Sequence, residues 1–156
     1  MTSTPLALFV GMPGLELSAS EIAFFREANP FGLFLFKRNL DNPEQIKRLV
    51  HQFKDAVGRD DAPVYIDQEG GRVQRLDNGK WPLYRPLGTF GALARKDMEL
   101  GKKALRLSTL AMGTMMAELG IGSGTTPVVD LARTDTHDVI GQRAFGDDPE
   151  LVTALG

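Results

Sequence analysis

Residues Asp67 to Arg75 read Asp-Gln-Glu-Gly-Gly-Arg-Val-Gln-Arg, which places two carboxylates, a glycine pair and two arginines close together. The apolar run 63–66 precedes them and has the composition of a short buried strand. Carboxylate oxygens accept hydrogen bonds from neighbouring hydroxyl groups, and guanidinium groups donate them in a plane. An acid at a strand end, followed by a sharp glycine bend and two cations, is therefore typical of a polar-ligand site rather than of a packed core.

Some positions in and near this stretch allow more than one interpretation. Glu69 either contacts a ligand or pairs with Arg72 or Arg75 to stiffen the loop, and we favour the pairing. Asp130 lies at the end of another predicted strand, where it acts either as a nucleophile or as an organiser of the site through hydrogen bonds, and we favour the second role. The glycine pair 70–71 is also compatible with the phosphate cradle of a doubly wound nucleotide binder, although no Lys-Ser/Thr follows it.

Short apolar runs alternate with helical patterns along the chain. The runs that predict strands are residues 6–10, 32–36, 64–66 and 126–131. Helices are predicted over residues 18–28, 42–57 and 97–119, with a further helix start at 147–150 and a long loop through 81–86. Ser18 and Glu21 have the spacing of a capping box, and Asn42 precedes Pro43 as a helix start.

This alternation predicts an α/β fold, a parallel sheet covered by helices. Polar residues follow three of the four predicted strands, namely Asn39, Asp67 and Asp130. Barrels and doubly wound sheets both build their sites at the carboxyl ends of parallel strands. Because the last predicted helix reaches Gly156 after about two turns, the pattern suggests the first part of an eight-unit barrel. We therefore expect the chain to be the N-terminal portion of a longer protein.

The composition is that of one globular domain. Of the 156 residues, 42% are hydrophobic and 24% are charged, and the formal net charge is −2. That charge gives no reason to expect nucleic acid or an anionic membrane as a partner. The absence of cysteine excludes disulfides and thiolate metal sites and fits a reducing compartment. We predict a cytoplasmic domain with no membrane span, no metal and no cofactor.

Both histidines have ordinary explanations. His51 lies off the apolar face of its predicted helix, which favours a solvated side chain. His137 lies in a polar loop between Asp135 and Asp138. An aspartate–histidine pair is able to transfer protons, but we favour a polar loop residue.

Four blocks of sequence together resemble glycoside hydrolase family 3, and in particular its bacterial β-N-acetylglucosaminidases of cell-wall recycling. In chain order these blocks are residues 32–39, 67–75, 127–131 and 140–146. The segment 122–126 is richer in glycine and threonine than the apolar fourth strand of that family. The resemblance implies a TIM-type (β/α)8 barrel, of which residues 1–156 supply about the first four strand–helix units.

The resemblance also implies a function and a set of site residues. Asp67 would hold sugar hydroxyls, and Arg75 and Arg143 would also contact the sugar. The implied reaction releases terminal β-linked N-acetylglucosamine from peptidoglycan fragments by a retaining mechanism. The family's nucleophilic aspartate and acid/base histidine have no counterpart here and are expected beyond residue 156.

Two further expectations follow from these assignments. A non-catalytic sugar-binding module is the alternative function, because the chain carries binding residues without the reacting groups. Part of a barrel leaves two sheet edges unpaired, so the isolated chain is expected to dimerise, to aggregate or to depend on further segments.

Overall fold

The computed structural model describes residues 4–156, so Met1–Ser3 lie outside the described residues. The chain divides into two compact units. The first contains the residues up to Ile66 together with Met115–Gly124, and the second contains Asp67–Thr114 and Thr125–Gly156.

The first unit is built on an open, fully parallel four-stranded sheet. Its strands are β1 (Leu6–Val10), β2 (Pro30–Leu35), β3 (Val64–Ile66) and β6 (Ser123–Gly124), in the order β1-β2-β3-β6. Leu33 to Leu35 of β2 align with Val64 to Ile66 of β3. Three of the four predicted strands are therefore present, with β2 beginning two residues earlier than expected.

Two helices of this unit begin and end where their capping residues predict. Helix α1 (Ala19–Ala28) begins with the capping box of Ser18 and Glu21. Helix α2 (Pro43–Val57) begins after Asn42, whose side chain accepts from the Gln45 amide, and ends at Gly58 in the left-handed conformation. The apolar face of α2 is buried and includes Ile46, Leu49, Val50 and Phe53, which recur with helical spacing.

The side chains of the sheet explain a glycine in its middle. The Phe9 ring of β1 and the Tyr65 ring of β3 meet edge to face with centroids 4.7 Å apart. Gly32 of β2 lies opposite Phe9, and a Cβ atom there would collide with the Phe9 ring. The missing side chain therefore allows aromatic rings from the two flanking strands to touch across β2.

The second unit contains a hairpin and three helical segments. Strands β4 (Gln68–Gly70) and β5 (Val73–Gln74) pair antiparallel. The helices are α3 (Leu87–Ala94), α4 (Met98–Glu118, of which residues up to 114 belong here) and α5 (Pro149–Leu155). Short 3-10 turns cover Lys37–Asn39 in the first unit and Gly141–Arg143 in the second. The core of the second unit comprises Leu87, Phe90, Leu105, Val128, Phe145 and Val152.

The predicted fourth strand at residues 126–131 is wrong. The fourth strand is Ser123–Gly124, and within 126–131 only Val128 forms a bridge, to Ala144. Pro127 lacks the amide proton that a ladder requires, so the segment around it cannot continue a central strand. The glycine- and threonine-rich segment that departed from the family pattern thus carries the strand.

Between the predicted loop at 81–86 and the predicted helix at 97–119, the structure has a helix, α3 (Leu87–Ala94), that sequence patterns missed. Two glycines, Gly88 and Gly91, lower its intrinsic helix propensity. A Cβ atom at Gly91 would collide with the carbonyl oxygen of Phe145. Gly91 therefore makes α3 hard to predict from helix propensity, and it also allows α3 to pack closely against Phe145. No helix within residues 4–156 is both long and apolar enough to cross a membrane.

Candidate functional site

Asp67 directly follows β3 and is held by two hydrogen bonds. Its Oδ2 accepts from Arg75 Nη2 at 2.6 Å, and its Oδ1 accepts from Thr125 Oγ1 at 3.0 Å. The side chains of Asp67 and Arg75 are 23% and 33% exposed, so the pair remains partly open to solvent. Asp67 therefore does not turn into packed protein, and it contacts one of the two arginines expected near it.

The turn between β4 and β5 requires its glycine pair. Gly70 and Gly71 have φ values of 92° and 60°, in the left-handed region that favours glycine. A Cβ atom at Gly70 would lie 2.5 Å from the Arg85 carbonyl oxygen, and one at Gly71 would lie 2.7 Å from Pro86 Cβ. The Gly71 amide donates to the Tyr84 carbonyl at 2.8 Å and is not free for a phosphate oxygen. The pair thus serves the turn rather than a phosphate cradle.

Two buried glutamines, Gln68 and Gln74, hold the hairpin from within, and no local sequence pattern predicted their roles. Gln68 Oε1 accepts from the amides of Arg75 and Leu76 at 3.0 and 3.1 Å. Gln74 Nε2 donates to the carbonyl oxygens of Leu76 and Pro82. These bonds fix the backbone at Arg75, and so they fix the origin of the side chain that bonds Asp67.

Glu69 forms a two-bond ion pair with Arg143. Arg143 Nε donates to Glu69 Oε2 at 2.7 Å, and Arg143 Nη2 donates to Oε1 at 2.8 Å. The Glu69 side chain is 4% exposed and that of Arg143 is 22% exposed. The hydrogen bond to Glu69 is the main reason that the pKa of Arg143 is raised, with smaller contributions from the charges of Glu69, Asp130 and Asp67.

Glu69 forms an ion pair with an arginine, as expected, but the predicted arginine was wrong. Arg72 and Arg75 were the predicted partners, but Arg75 bonds Asp67 and Arg72 bonds backbone carbonyls. The actual partner lies 74 residues further along the chain. We call Asp67, Glu69, Arg75 and Arg143 the acid–arginine cluster; both arginines predicted to bind ligand belong to it.

The cluster leaves hydrogen-bonding capacity for a ligand. A guanidinium group has five N–H donors. Arg143 directs two of them to Glu69, and its Nη1 donates to the Val139 carbonyl at 3.3 Å. One N–H on each Nη atom of Arg143 therefore has no acceptor among the described residues. The arrangement suits a neutral polar ligand with several hydroxyl or carbonyl oxygens.

Asp130 and the two histidines form few contacts that could build a binding site. Asp130 is exposed and forms no hydrogen bond within residues 4–156, so the organising hydrogen bonds expected from it are absent. His137 is exposed, and its Nδ1 accepts from the Val139 amide at 3.0 Å, which agrees with a polar loop residue. His51 is exposed beside Asp55, as expected. Within residues 4–156, no three His, Asp or Glu side chains are grouped to hold a metal ion.

The family model described as "Glycosyl hydrolase family 3 N terminal domain" matches residues 11–156. A β-hexosaminidase of Xanthomonas campestris pv. campestris is 37% identical over 148 residues, which are 95% of this chain and 44% of that protein. A β-hexosaminidase of Xylella fastidiosa is 36% identical over the same share of this chain. The chain thus spans less than half the length of these curated relatives.

Solved structures resemble the chain over nearly its whole length. NagZ from Neisseria gonorrhoeae in complex with N-trifluoroacetyl-D-glucosamine matches with a TM-score of 0.87 and 28% identity, over 97% of this chain and 45% of that chain. A glycoside hydrolase family 3 β-N-acetylglucosaminidase from Paenibacillus sp. matches with a TM-score of 0.79 and 32% identity, over 95% of this chain and 27% of that chain.

Proposed function

The chain belongs to glycosyl hydrolase family 3, and from this membership we propose that it forms part of a β-N-acetylhexosaminidase. The fold is α/β and of the TIM-barrel type, as the resemblance implied. In the proposal, residues 1–156 supply the first four units of the catalytic barrel and one wall of the sugar subsite. The reaction is release of terminal β-linked N-acetylglucosamine from a peptidoglycan fragment in the cytoplasm.

The acid–arginine cluster is the observation that carries this proposal. It joins two segments of the chain, the stretch that begins at Asp67 and the turn that ends at Arg143, in one compact unit. A carboxylate such as that of Asp67 accepts hydrogen bonds from adjacent sugar hydroxyls, each contributing about 1.5–3 kcal/mol because the acceptor is charged. The remaining N–H groups of Arg143 suit a hydroxyl or an acyl oxygen.

In this proposal the chain binds and orients the sugar, while the reacting groups come from elsewhere. A retaining glycosidase needs a nucleophile at the anomeric carbon and an acid that protonates the leaving oxygen. Asp67 is already engaged by Arg75 and Thr125, which suits a residue that holds hydroxyls rather than one that attacks carbon. The nucleophilic aspartate and the acid/base histidine are therefore assigned to sequence beyond residue 156.

The proposed substrate follows from the relatives and from the charge of the cluster. The Neisseria NagZ structure contains N-trifluoroacetyl-D-glucosamine, an N-acylated glucosamine. Two acids and two arginines balance in charge, so the cluster favours a neutral sugar over a phosphorylated or acidic one. A terminal N-acetylglucosamine is neutral and carries both hydroxyl and acyl oxygens.

Hydrolysis of a chromogenic β-N-acetylglucosaminide by the full-length protein tests the proposal. Asp67→Asn keeps the shape and removes the charge, so we expect kcat/KM to fall by about 10- to 100-fold, the equivalent of one charge-assisted hydrogen bond. Asp61→Asn, at an exposed position of the first unit, is the matched control and should leave kcat/KM unchanged. Binding of N-acetylglucosamine in calorimetry without any turnover would instead identify a sugar-binding module.

A further inference from the structure

Arg72 lies at the turn of the β4–β5 hairpin but bonds neither acid of the cluster. Its Nη2 donates to the carbonyl oxygen of Asp138 at 2.8 Å and also to that of Val139. Arg143 Nη1 donates to the same Val139 oxygen at 3.3 Å. The Val139 carbonyl is therefore a shared acceptor for two arginines, one on the hairpin and one in the acid–arginine cluster.

The segment 137–143 is otherwise held by bonds to itself. The Val139 amide donates to His137 Nδ1, the Ile140 amide to the His137 carbonyl, and the Arg143 amide to the Ile140 carbonyl. Such bonds shape the segment but do not attach it to the hairpin. Within residues 4–156, its hydrogen bonds to the hairpin are those of Arg72 and of the Glu69–Arg143 pair.

These contacts determine the direction of the Arg143 guanidinium. Glu69 fixes the Nε and Nη2 edge of the group, and the Val139 carbonyl fixes the Nη1 side. The two N–H groups without an acceptor then point in directions set by Glu69 and Val139 together. If the Val139 carbonyl moved, Arg143 would keep its bonds to Glu69 and lose the third constraint.

We infer that Arg72 is a positioning residue for sugar binding: it holds the Val139 carbonyl in place and so aims Arg143, without contacting the sugar itself. This inference rests on the proposed function and adds a residue to its binding site. Arg72 is exposed, and its contacts are with backbone carbonyls, so its effect passes through the segment 137–143.

Arg72→Met in the full-length protein removes the donor and keeps much of the side-chain length. We expect KM for a chromogenic β-N-acetylglucosaminide to rise about 10-fold with kcat changed less than about 2-fold, because ground-state and transition-state binding weaken together. A purely structural role would instead lower the folded fraction, and with it kcat, at an unchanged KM. R72K keeps a cationic donor and should recover part of the loss.

Arg59 provides a matched control in the first unit. Its Nη2 also donates to two successive carbonyl oxygens, those of Pro30 and Phe31. Arg59→Met should leave KM unchanged, whatever it does to the melting temperature. An unchanged KM in Arg72→Met, or the same rise in both variants, would overturn the inference.

Amide hydrogen exchange separates failure of the inference from failure of the proposed function. In Arg72→Met, the amides of Val139 and Arg143 should exchange faster than in the wild type, while those of α2 should not change. If the wild type does not cleave the substrate, the proposed function fails, and the exchange rates alone decide whether Arg72 holds this segment. Unchanged exchange at these two amides would overturn the positioning role.

Discussion

Removing Arg143 should expose the cost of a buried, unpaired carboxylate. Glu69 is 4% exposed and receives two hydrogen bonds from Arg143, at 2.7 and 2.8 Å. Breaking a buried ion pair by removing one partner costs about 3–5 kcal/mol, because the remaining charge is left desolvated. Arg143 is 22% exposed, so water reaches part of the pair, and we expect Arg143→Met to lower the free energy of unfolding by about 3 kcal/mol.

Urea unfolding of the purified wild type and of Arg143→Met under the same conditions measures this change in the free energy of unfolding.

Two companion variants make the test specific. Glu69→Met combined with Arg143→Met removes both charges, and replacing both partners by apolar groups is often close to neutral, so most of the loss should be recovered. Arg133→Met, at an exposed arginine of the same unit, should change stability by less than about 0.5 kcal/mol. A double variant as unstable as Arg143→Met, or a loss below about 1 kcal/mol in Arg143→Met, would refute the reasoning.

Three other outcomes are expected. Gly91→Ala should lower the free energy of unfolding by more than about 1 kcal/mol, because the added methyl group would collide with the Phe145 carbonyl. Denaturant titration measures this change, and an unchanged unfolding midpoint would contradict the packing of α3 against Phe145. Burial raises the pKa of Tyr84 in the folded protein above its unfolded value of about 10. The neutral Tyr84 side chain therefore stabilises the fold fully below about pH 10, and this stabilisation is lost as pH rises through the folded-state pKa. Tyr84→Phe should remove this alkaline loss of stability in melting curves recorded from about pH 8 to 11. Residues 1–156 alone should not hydrolyse a chromogenic β-N-acetylglucosaminide, and turnover that His137→Ala abolishes would contradict the placement of the reacting groups beyond residue 156.

Local sequence signals predicted the elements whose ends are fixed by nearby side chains. Ser18 with Glu21 and Asn42 with Pro43 each determine a helix start within a few residues, and both starts are observed. The buried strand before Asp67 was recognisable because a short apolar run ends in turn residues. In each case the residues that specify the element are neighbours in the chain.

The errors occurred where distant residues decide the structure. Gly91 of helix α3 allows close packing against Phe145. No local sequence pattern shows this contact, because Phe145 is distant in the chain. The partner of Glu69 was sought among nearby arginines, whereas the fold brings Arg143 to it from 74 residues away. The family resemblance, rather than periodicity, singled out Asp67, Arg75 and Arg143 as sugar-binding residues, and that role stays a prediction.

The long separation between Glu69 and Arg143 has a consequence for synthesis on the ribosome. At about 5–20 residues per second, Glu69 is made roughly 4–15 s before its partner across the 74-residue gap. During that interval Arg143, the guanidinium that pairs with this carboxylate in the fold, is absent, and desolvating the carboxylate alone is unfavourable. The hairpin is therefore expected to stay hydrated until the segment that contains Arg143 has been made, so the Glu69 side of the acid–arginine cluster matures well after its own synthesis.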